Sequence, residues 1–316
     1  MLLSGKEETA HVVSSCSQFT KTIVIEQKHF QDSHHVPAME TVMKLVHISD
    51  IHISADPILG LDSIANFKKC LAYVEAHDHD ADRVVITGDL THHGLEESYR
   101  ELKAILGGSS LRDKLEPRLM IGNHDNRGTF ASVFPDANRD SGGFIQWTEE
   151  TPAGLFVYMD TVDQGRHGGL YCDQRMAWLK SVLDNALGKG QKTYLFMHHN
   201  PVRVNVANAD IIGILNEKEL QSLLENYRDT VAHIFFGHCH YTLSGAVCGI
   251  PYSAPRSTNH VCWPEFSGQI NRMGYGDLAP NYNVCFLSEN STVVHSIDFL
   301  EADKVKWKIE EDTELH

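Results

Sequence analysis

The chain has 316 residues, 42% of them hydrophobic, and carries a formal charge of −15 at pH 7. That length buries a large core, while the acidity argues against a nucleic-acid backbone as the main partner, because such surfaces are basic. No run approaches the roughly 18 apolar residues of a membrane helix, and Lys6, Glu7 and Glu8 interrupt the amino terminus where a signal peptide needs an apolar core, so a cytoplasmic protein is expected. The seven cysteines are odd in number, widely spaced and without a Cys-x-x-Cys pair, which reads as reduced thiols, with Cys248 and Cys262 left as a pair only if the fold brings them together.

Residues 1–43 show neither helical nor strand periodicity and are expected to form a poorly packed extension. From residue 44 strands and helices alternate: a strand over 44–49, a helix over 61–77, a strand over 83–88, a helix over 94–107 and a strand over 118–122. Leu61, Ile64, Phe67, Leu71 and Val74 give the first helix its apolar stripe. Strands are expected at 144–148 and 155–160, a helix at 173–187, a strand at 193–198, a helix at 217–225 and a strand at 231–237. After His240 the pattern changes to short β-like runs at 246–251, 283–287 and 292–299, with a Gly/Pro/Asn-rich stretch at 253–281. The chain therefore divides into an extension (1–43), a layered α/β catalytic core (44–241) and a smaller C-terminal β section and cap (242–316), whose loop is expected to border the site.

Five of the strands end in metal-binding side chains: Asp50-Ile51-His52, Gly88-Asp89, Gly122-Asn123-His124-Asp125, His198-His199 and Gly237-His238-Cys239-His240. In α/β folds functional groups gather at the carboxyl ends of strands, so the five segments converge on one site if their strands lie side by side. Asp50 and His52, like His238 and His240, are two residues apart, a spacing that in extended chain points both side chains the same way. Cys239 between them then faces away, into the interior. The glycines allow sharp turns and close backbone approach. A set of carboxylate, imidazole and amide ligands without thiolate suits Mn²⁺, Fe²⁺/Fe³⁺, Zn²⁺ or Co²⁺ rather than a structural zinc cage. Seven ligands exceed the needs of one tetrahedral ion, and a carboxylate such as Asp89 can bridge two.

The motif order D-x-H, G-D, G-N-H-D, His, G-H-x-H resembles the calcineurin-like metallophosphoesterase superfamily from about residue 44 to 241. Within it, Ile48-Ser49-Asp50-Ile51-His52, Gly88-Asp89-Leu90-Thr91, Phe196-Met197-His198-His199 and Ala254-Pro255-Arg256-Ser257-Thr258 look like the class III cyclic-nucleotide phosphodiesterase and glycerophosphodiesterase branch. The resemblance implies a layered β-sandwich flanked by helices with a small C-terminal β cap. It also implies two metal ions, one held by Asp50, His52, Asp89 and His240, the other by Asp89, Asn123, His198 and His238. His124 would contact the phosphate or leaving-group oxygen, with Asp125 orienting it. His198 takes the ligand role over His199 because the family places the ligand ahead of a turn residue or proline, here Asn200-Pro201. A common form of the second motif continues Gly-Asp-Leu-Thr-Asp, whereas this chain has His92-His93.

The implied activity is hydrolysis of cyclic nucleotides or small phosphodiesters by metal-hydroxide attack on phosphorus, with His124 donating a proton to the leaving alkoxide. A phosphomonoesterase or nuclease of the same superfamily, or a non-catalytic module on this fold, are the alternatives. Such modules lose ligands or the histidine of G-N-H, and this chain has both. A homo-oligomer through the C-terminal section is left open. His47, His77, His79, His167 and His233 read as structural or solvated, the acidic run at 77–82 as a solvated connection, and Trp263 and Arg256 equally as pocket residues or as a packed aromatic and a surface ion pair.

Overall fold

The computed structural model describes residues 41–306 except Lys114, so residues 1–40 of the extension expected over 1–43 lie outside the described residues. Strand β1 (Thr41–Ile48) begins three residues before the expected start, because Met43 is buried between the sheets. One sheet runs in the order β13 (Thr292–Ile297), β12 (Tyr282–Ser288), β1, β2 (Arg83–Thr87), β3 (Arg118–Met120), with β1, β2 and β3 parallel. The other runs β4 (Trp147–Thr151), β5 (Gly154–Tyr158), β6 (Thr193–Phe196), β7 (Val231–Phe235), β9 (Ile250–Ala254), β8 (Leu243–Val247), with β5, β6, β7 and β9 parallel.

Period-2 alternation sorts the side chains into three layers. Met43, Leu45, Val85 and Leu287 of the first sheet meet Phe156, Tyr158, Tyr194, Phe196 and Phe235 of the second, forming the core between the sheets. Val46, Ile48, Val84 and Ile86 face outward, onto helices α1 (Ser63–His77), α2 (Glu96–Gly108) and α3 (Arg127–Val133). Leu155, Val157, Leu195 and Ile234 face the other way, onto α4 (Asp173–Gly188) and α6 (Glu217–Leu224). The expected sandwich with helices on its outer faces is the observed fold. In α1 the buried positions Phe67, Cys70, Leu71 and Val74 follow the i, i+3, i+4, i+7 pattern, and Asp62 caps its start by accepting from the Ala65 N–H at 2.9 Å.

The segment after His240 is distributed rather than set apart. β8 and β9 extend the second sheet and β12 and β13 the first, leaving the two-stranded ribbon β10 (Cys262–Trp263) and β11 (Gly274–Tyr275) as the separate β piece. The run expected as one strand at 246–251 is a hairpin turn, with Cys248 and Gly249 both at positive φ (54° and 82°) between β8 and β9. The acidic run after α1 is tied down: Asp78 accepts from Tyr282 Oη at 2.5 Å and pairs with Lys44, which also meets Asp80. Cys248 and Cys262 are free thiols. No described helix is long and apolar enough to cross a membrane.

Candidate metal centre

The parallel strands β1, β2 and β3 of one sheet and β6 and β7 of the other deliver their following loops to one place, and there the backbone is unusual. Asp50, His52, Asp89, His238 and His240 all lie at positive φ, between 47° and 68°. This conformation is costly for residues with a side chain and gathers at functional sites. Backbone hydrogen bonds hold it: Asp50 N–H donates to Gly88 O (3.1 Å), His52 N–H to Asp89 O (2.8 Å) and Gly237 N–H to His198 O (3.0 Å). Gly122 and Gly237 have ordinary φ, so their constraint is space. A Cβ at Gly122 would overlap Asp89 and lie 2.7 Å from His198 Nε2, and one at Gly237 would overlap Ser49 and lie 2.7 Å from Asp50 Oδ2.

The seven expected ligands come together. The Asp89 carboxylate lies between two groups, with Oδ1 3.3 Å from His198 Nε2 and Oδ2 3.5 Å from His52 Nε2. On the His52 side, His240 Nε2 is 3.0 Å from His52 Nε2 and 3.2 Å from Asp50 Oδ1. On the His198 side, Asn123 Oδ1 is 3.1 Å from His198 Nε2, and the His238 ring lies 5.1 Å from the His198 ring. His198 and His240 turn Nδ1 toward the carbonyls of Thr87 (2.8 Å) and His260 (2.9 Å), so that nitrogen donates and Nε2 is the nitrogen presented to the carboxylates. His199 differs in turning away from the carboxylates: its Nδ1 meets Thr161 Oγ1 at 2.7 Å and its Nε2 the His167 carbonyl at 3.1 Å, although it lies with His198 and His238 in a group able to hold an ion.

The donor chemistry fits cations. His238 Nε2 is buried with no hydrogen-bond partner, the state of a ligand atom whose partner is an ion. Burial works against charge on Asp89, yet His198 and His124 hold its carboxyl well below the usual range. Burial likewise opposes charge on Asp50, and His240 overrides it to hold that carboxyl down. His198 is pushed up to about 9 because Asp89 outweighs its burial, whereas burial and then His198 push His238 down to about 3. Two buried carboxylates that recruit positive charge from every side, ringed by imidazoles, form a site for multivalent cations.

His124 lies at the rim, its N–H donating to Asp89 Oδ1 (2.9 Å) and its Nδ1–H to the His92 carbonyl (2.8 Å). The expected orienting contact from Asp125 is replaced by that carbonyl. Asp125 points back into the fold, accepting from Leu90 N–H, Thr91 N–H, Thr91 Oγ1, Tyr99 Oη and Gly122 N–H at 2.8–3.1 Å, and so ties the Gly-Asp turn to the Gly-Asn-His-Asp turn. Burial, then the Asp89 charge, push its carboxyl up to about 6.

Six other residues find their places. His92 stacks on His124 (14° between planes, 5.0 Å between centroids), with Nδ1 3.3 Å from His52 Nδ1. His260, for which the sequence carries no motif, lies 4.3 Å ring to ring from His240 and 4.8 Å from His52. His167, read as structural, joins Asn123 (3.4 Å) and His199 at the pocket wall. Of the two undecided residues, Trp263 lines the pocket, whereas Arg256 is bound to Asp298 (3.0 Å) and the Ala279 carbonyl. Cys239 is buried, as expected.

The fold and the cluster define an α/β sandwich that gathers histidine and aspartate side chains able to hold a metal ion at its strand ends. The calcineurin-like phosphoesterase profile matches residues 43–241, and the chain belongs to that family. The chain is 29% identical over 278 residues to the probable cyclic nucleotide phosphodiesterase of Rhodopseudomonas palustris, covering 87% of this chain and 98% of that one. It is 30% identical over 206 residues to the glycerophosphodiester phosphodiesterase GpdQ of Enterobacter lignolyticus, covering 63% and 71%. A dimetal phosphatase from Danio rerio shares the fold, with a TM-score of 0.61 at 14% identity over 81% of this chain and 96% of that chain.

Proposed function

We propose that the protein is a metal-dependent phosphodiesterase acting on cyclic nucleotides or small phosphodiesters through two cations. The observation that carries this reading is the position of Asp89, whose two carboxylate oxygens face separate ligand groups, His52 with His240 and Asp50 on one side and His198 with Asn123 on the other. Asp50, His52, Asp89 and His240 would hold one ion, and Asp89, Asn123, His198 and His238 the second. When bound, the pair supplies Lewis acidity and a source of nucleophile at neutral pH.

The chain's own residues do the rest. His124 Nδ1–H donates a hydrogen bond to the His92 carbonyl, which fixes the ring, so that in the doubly protonated ring Nε2–H is the group that passes its proton to the departing alkoxide oxygen and the ring is left neutral with Nδ1–H in place. Asp125 acts at a distance, holding the two turns that carry Asp89 and His124. His167 and His260 form the polar wall against which the diester lies. The relatives named as cyclic nucleotide and glycerophosphodiester phosphodiesterases support the diester class. A panel of cyclic nucleotides, glycerophosphodiesters and phosphomonoesters, offered to protein reconstituted with Mn²⁺, Co²⁺, Zn²⁺ or Fe²⁺, tests the reading. Diester turnover well above monoester turnover is expected, and monoester turnover alone overturns it.

A further inference from the structure

The pocket above the metal centre does not end at the histidines. It runs on to Trp263 and Met273 of the β10–β11 ribbon and to Asn208 and Ile212, in and just after the short helix α5 (Ala207–Asp210). The metal ligands therefore share one cavity with an indole, two aliphatic side chains and a carboxamide.

Three observations make this extension a built surface. Trp263 is 64% exposed, and among the described residues its indole N–H has no hydrogen-bond partner and its ring no aromatic or cationic neighbour. A tryptophan carries the largest apolar area of any side chain and ordinarily buries it. Its backbone is nonetheless fixed: Trp263 pairs with Gly274, whose absent side chain lets the Trp263 Cβ come within 2.8 Å of where its own Cβ would be. The adjoining Cys262 N–H donates to the His240 carbonyl at 3.1 Å, so the ribbon is tied directly to a ligand loop. Finally, Asn208 makes no side-chain hydrogen bond among the described residues, and it is half-buried in the same pocket.

An exposed, held indole sharing one pocket with an unengaged carboxamide offers the chemistry of nucleobase recognition. The face stacks on any planar heterocycle, and an amide matches the paired donor and acceptor on a base edge. A glycerol substituent has no planar face to stack on the indole, and it lacks the fixed donor–acceptor pair of a base edge. We propose that this extension is a nucleobase subsite, with Trp263 stacking on the base and Asn208 reading its edge, and that it directs the site toward nucleotide diesters over glycerol diesters. This rests on the phosphodiesterase reading above and narrows its substrate class.

The test compares metal-loaded wild-type, Trp263→Ala, Trp263→Phe and Asn208→Ala proteins on 3′,5′-cyclic AMP and on glycerophosphoglycerol, whose substituents carry neither a ring nor a cation for the indole. Trp263→Ala is expected to raise KM for the cyclic nucleotide by roughly 5- to 150-fold, the range of one base–aromatic stack, with kcat and glycerophosphoglycerol kinetics changed by less than about twofold. Trp263→Phe, which keeps a stacking face, should recover most of the loss. Asn208→Ala should change the ratio of KM values among cyclic nucleotides bearing different bases. A separate readout uses AMP as a ligand: it should quench tryptophan emission in wild type, bind Trp263→Phe without that quench, and bind Trp263→Ala at least about fivefold more weakly. Equal changes for both substrates, or unchanged AMP affinity in Trp263→Ala, overturn the subsite. So does a Trp263→Ala protein whose kinetics are intact but whose self-association is altered, since the ribbon is then an interface. If no diester is hydrolysed by any metal form, the phosphodiesterase reading fails, and AMP affinity still decides the subsite.

Discussion

Gly122→Ala is the smallest perturbation that reaches the centre of the proposed site. A Cβ there would overlap Asp89 Oδ1 and the Asp89 backbone nitrogen and lie 2.7 Å from His198 Nε2. The obstacle includes backbone, so it cannot be relieved by rotating a flexible tip. Asp89 is in turn held at φ 48° by its own turn. Overpacking of this kind costs about 1–3 kcal/mol, and the rigid surroundings place Gly122→Ala at the upper end. For a chain of this size that corresponds to a fall in Tm of about 5 °C at the 3 kcal/mol end. Because the atom displaced is the carboxylate that faces both ligand groups, metal content after dialysis should fall below that of wild type, and diester turnover should fall by about 10²-fold, the cost of a misplacement on the order of 1 Å. Gly188→Ala, in the last turn of α4 with open space around its Cβ, is the control and should change neither. The assay is thermal unfolding, elemental analysis and turnover of an activated diester on the two variants side by side. A Gly122→Ala protein with wild-type Tm, metal content and rate would show that the close approach of Gly122 to Asp89 is not real.

His124→Ala should keep its metals yet lose about 10²–10⁴ in rate, most for diesters with poor alkoxide leaving groups, which need a proton in the transition state; equal loss for good and poor leaving groups would assign His124 to phosphate binding instead. His92→Ala removes the side chain 3.3 Å from His52 Nδ1 and should weaken metal binding by about 10- to 100-fold in a direct metal titration, with His92→Asp, which restores an acceptor, recovering much of it; unchanged affinity would count against the contact. Acid should destabilise the fold through His47, packed 5.5 Å from Phe235 between the sheets and pushed from 6.5 down to about 3 by burial and then by His233. A depressed histidine is neutral when folded, so its contribution is fully present above pH 6.5 and is lost as the pH falls toward 3, at about 1.4 kcal/mol per pH unit, and His47→Gln should flatten the unfolding free energy against pH by that slope in chemical denaturation.

The strands and the ligand turns were legible because both signals are local. β1, β6 and β7 send alternate residues to opposite faces and each ends in a polar motif, but the extended chain expected for Asp50/His52 and His238/His240 is replaced by left-handed backbone at all four residues. What stayed hidden depended on pairing across long distances. His260 reaches the site only because its loop returns from β9 to the His240 turn, and nothing near it in the chain marks it. The direction of Asp125, back toward Tyr99 and Gly122, is set by the packing of α2 against the turn. The partition of the C-terminal strands between both sheets leaves no local trace, since β12 meets β1 across more than 230 residues of chain. A seven-residue helix such as α3, capped by Asn126 on Thr129 N–H, is too short for periodicity to register.

The central claim is that Asp89 serves two ions. It is tested most directly by titrating metal-free protein with Mn²⁺ and following bound metal by elemental analysis together with diester turnover, in wild type and in Asp89→Asn. The account predicts activity that rises to completion only at two ions per chain in wild type, and loss of both ions' affinity in Asp89→Asn, because the amide withdraws charge from both flanks at once. Full turnover at one ion per chain, or an Asp89→Asn protein that still binds two, would contradict it.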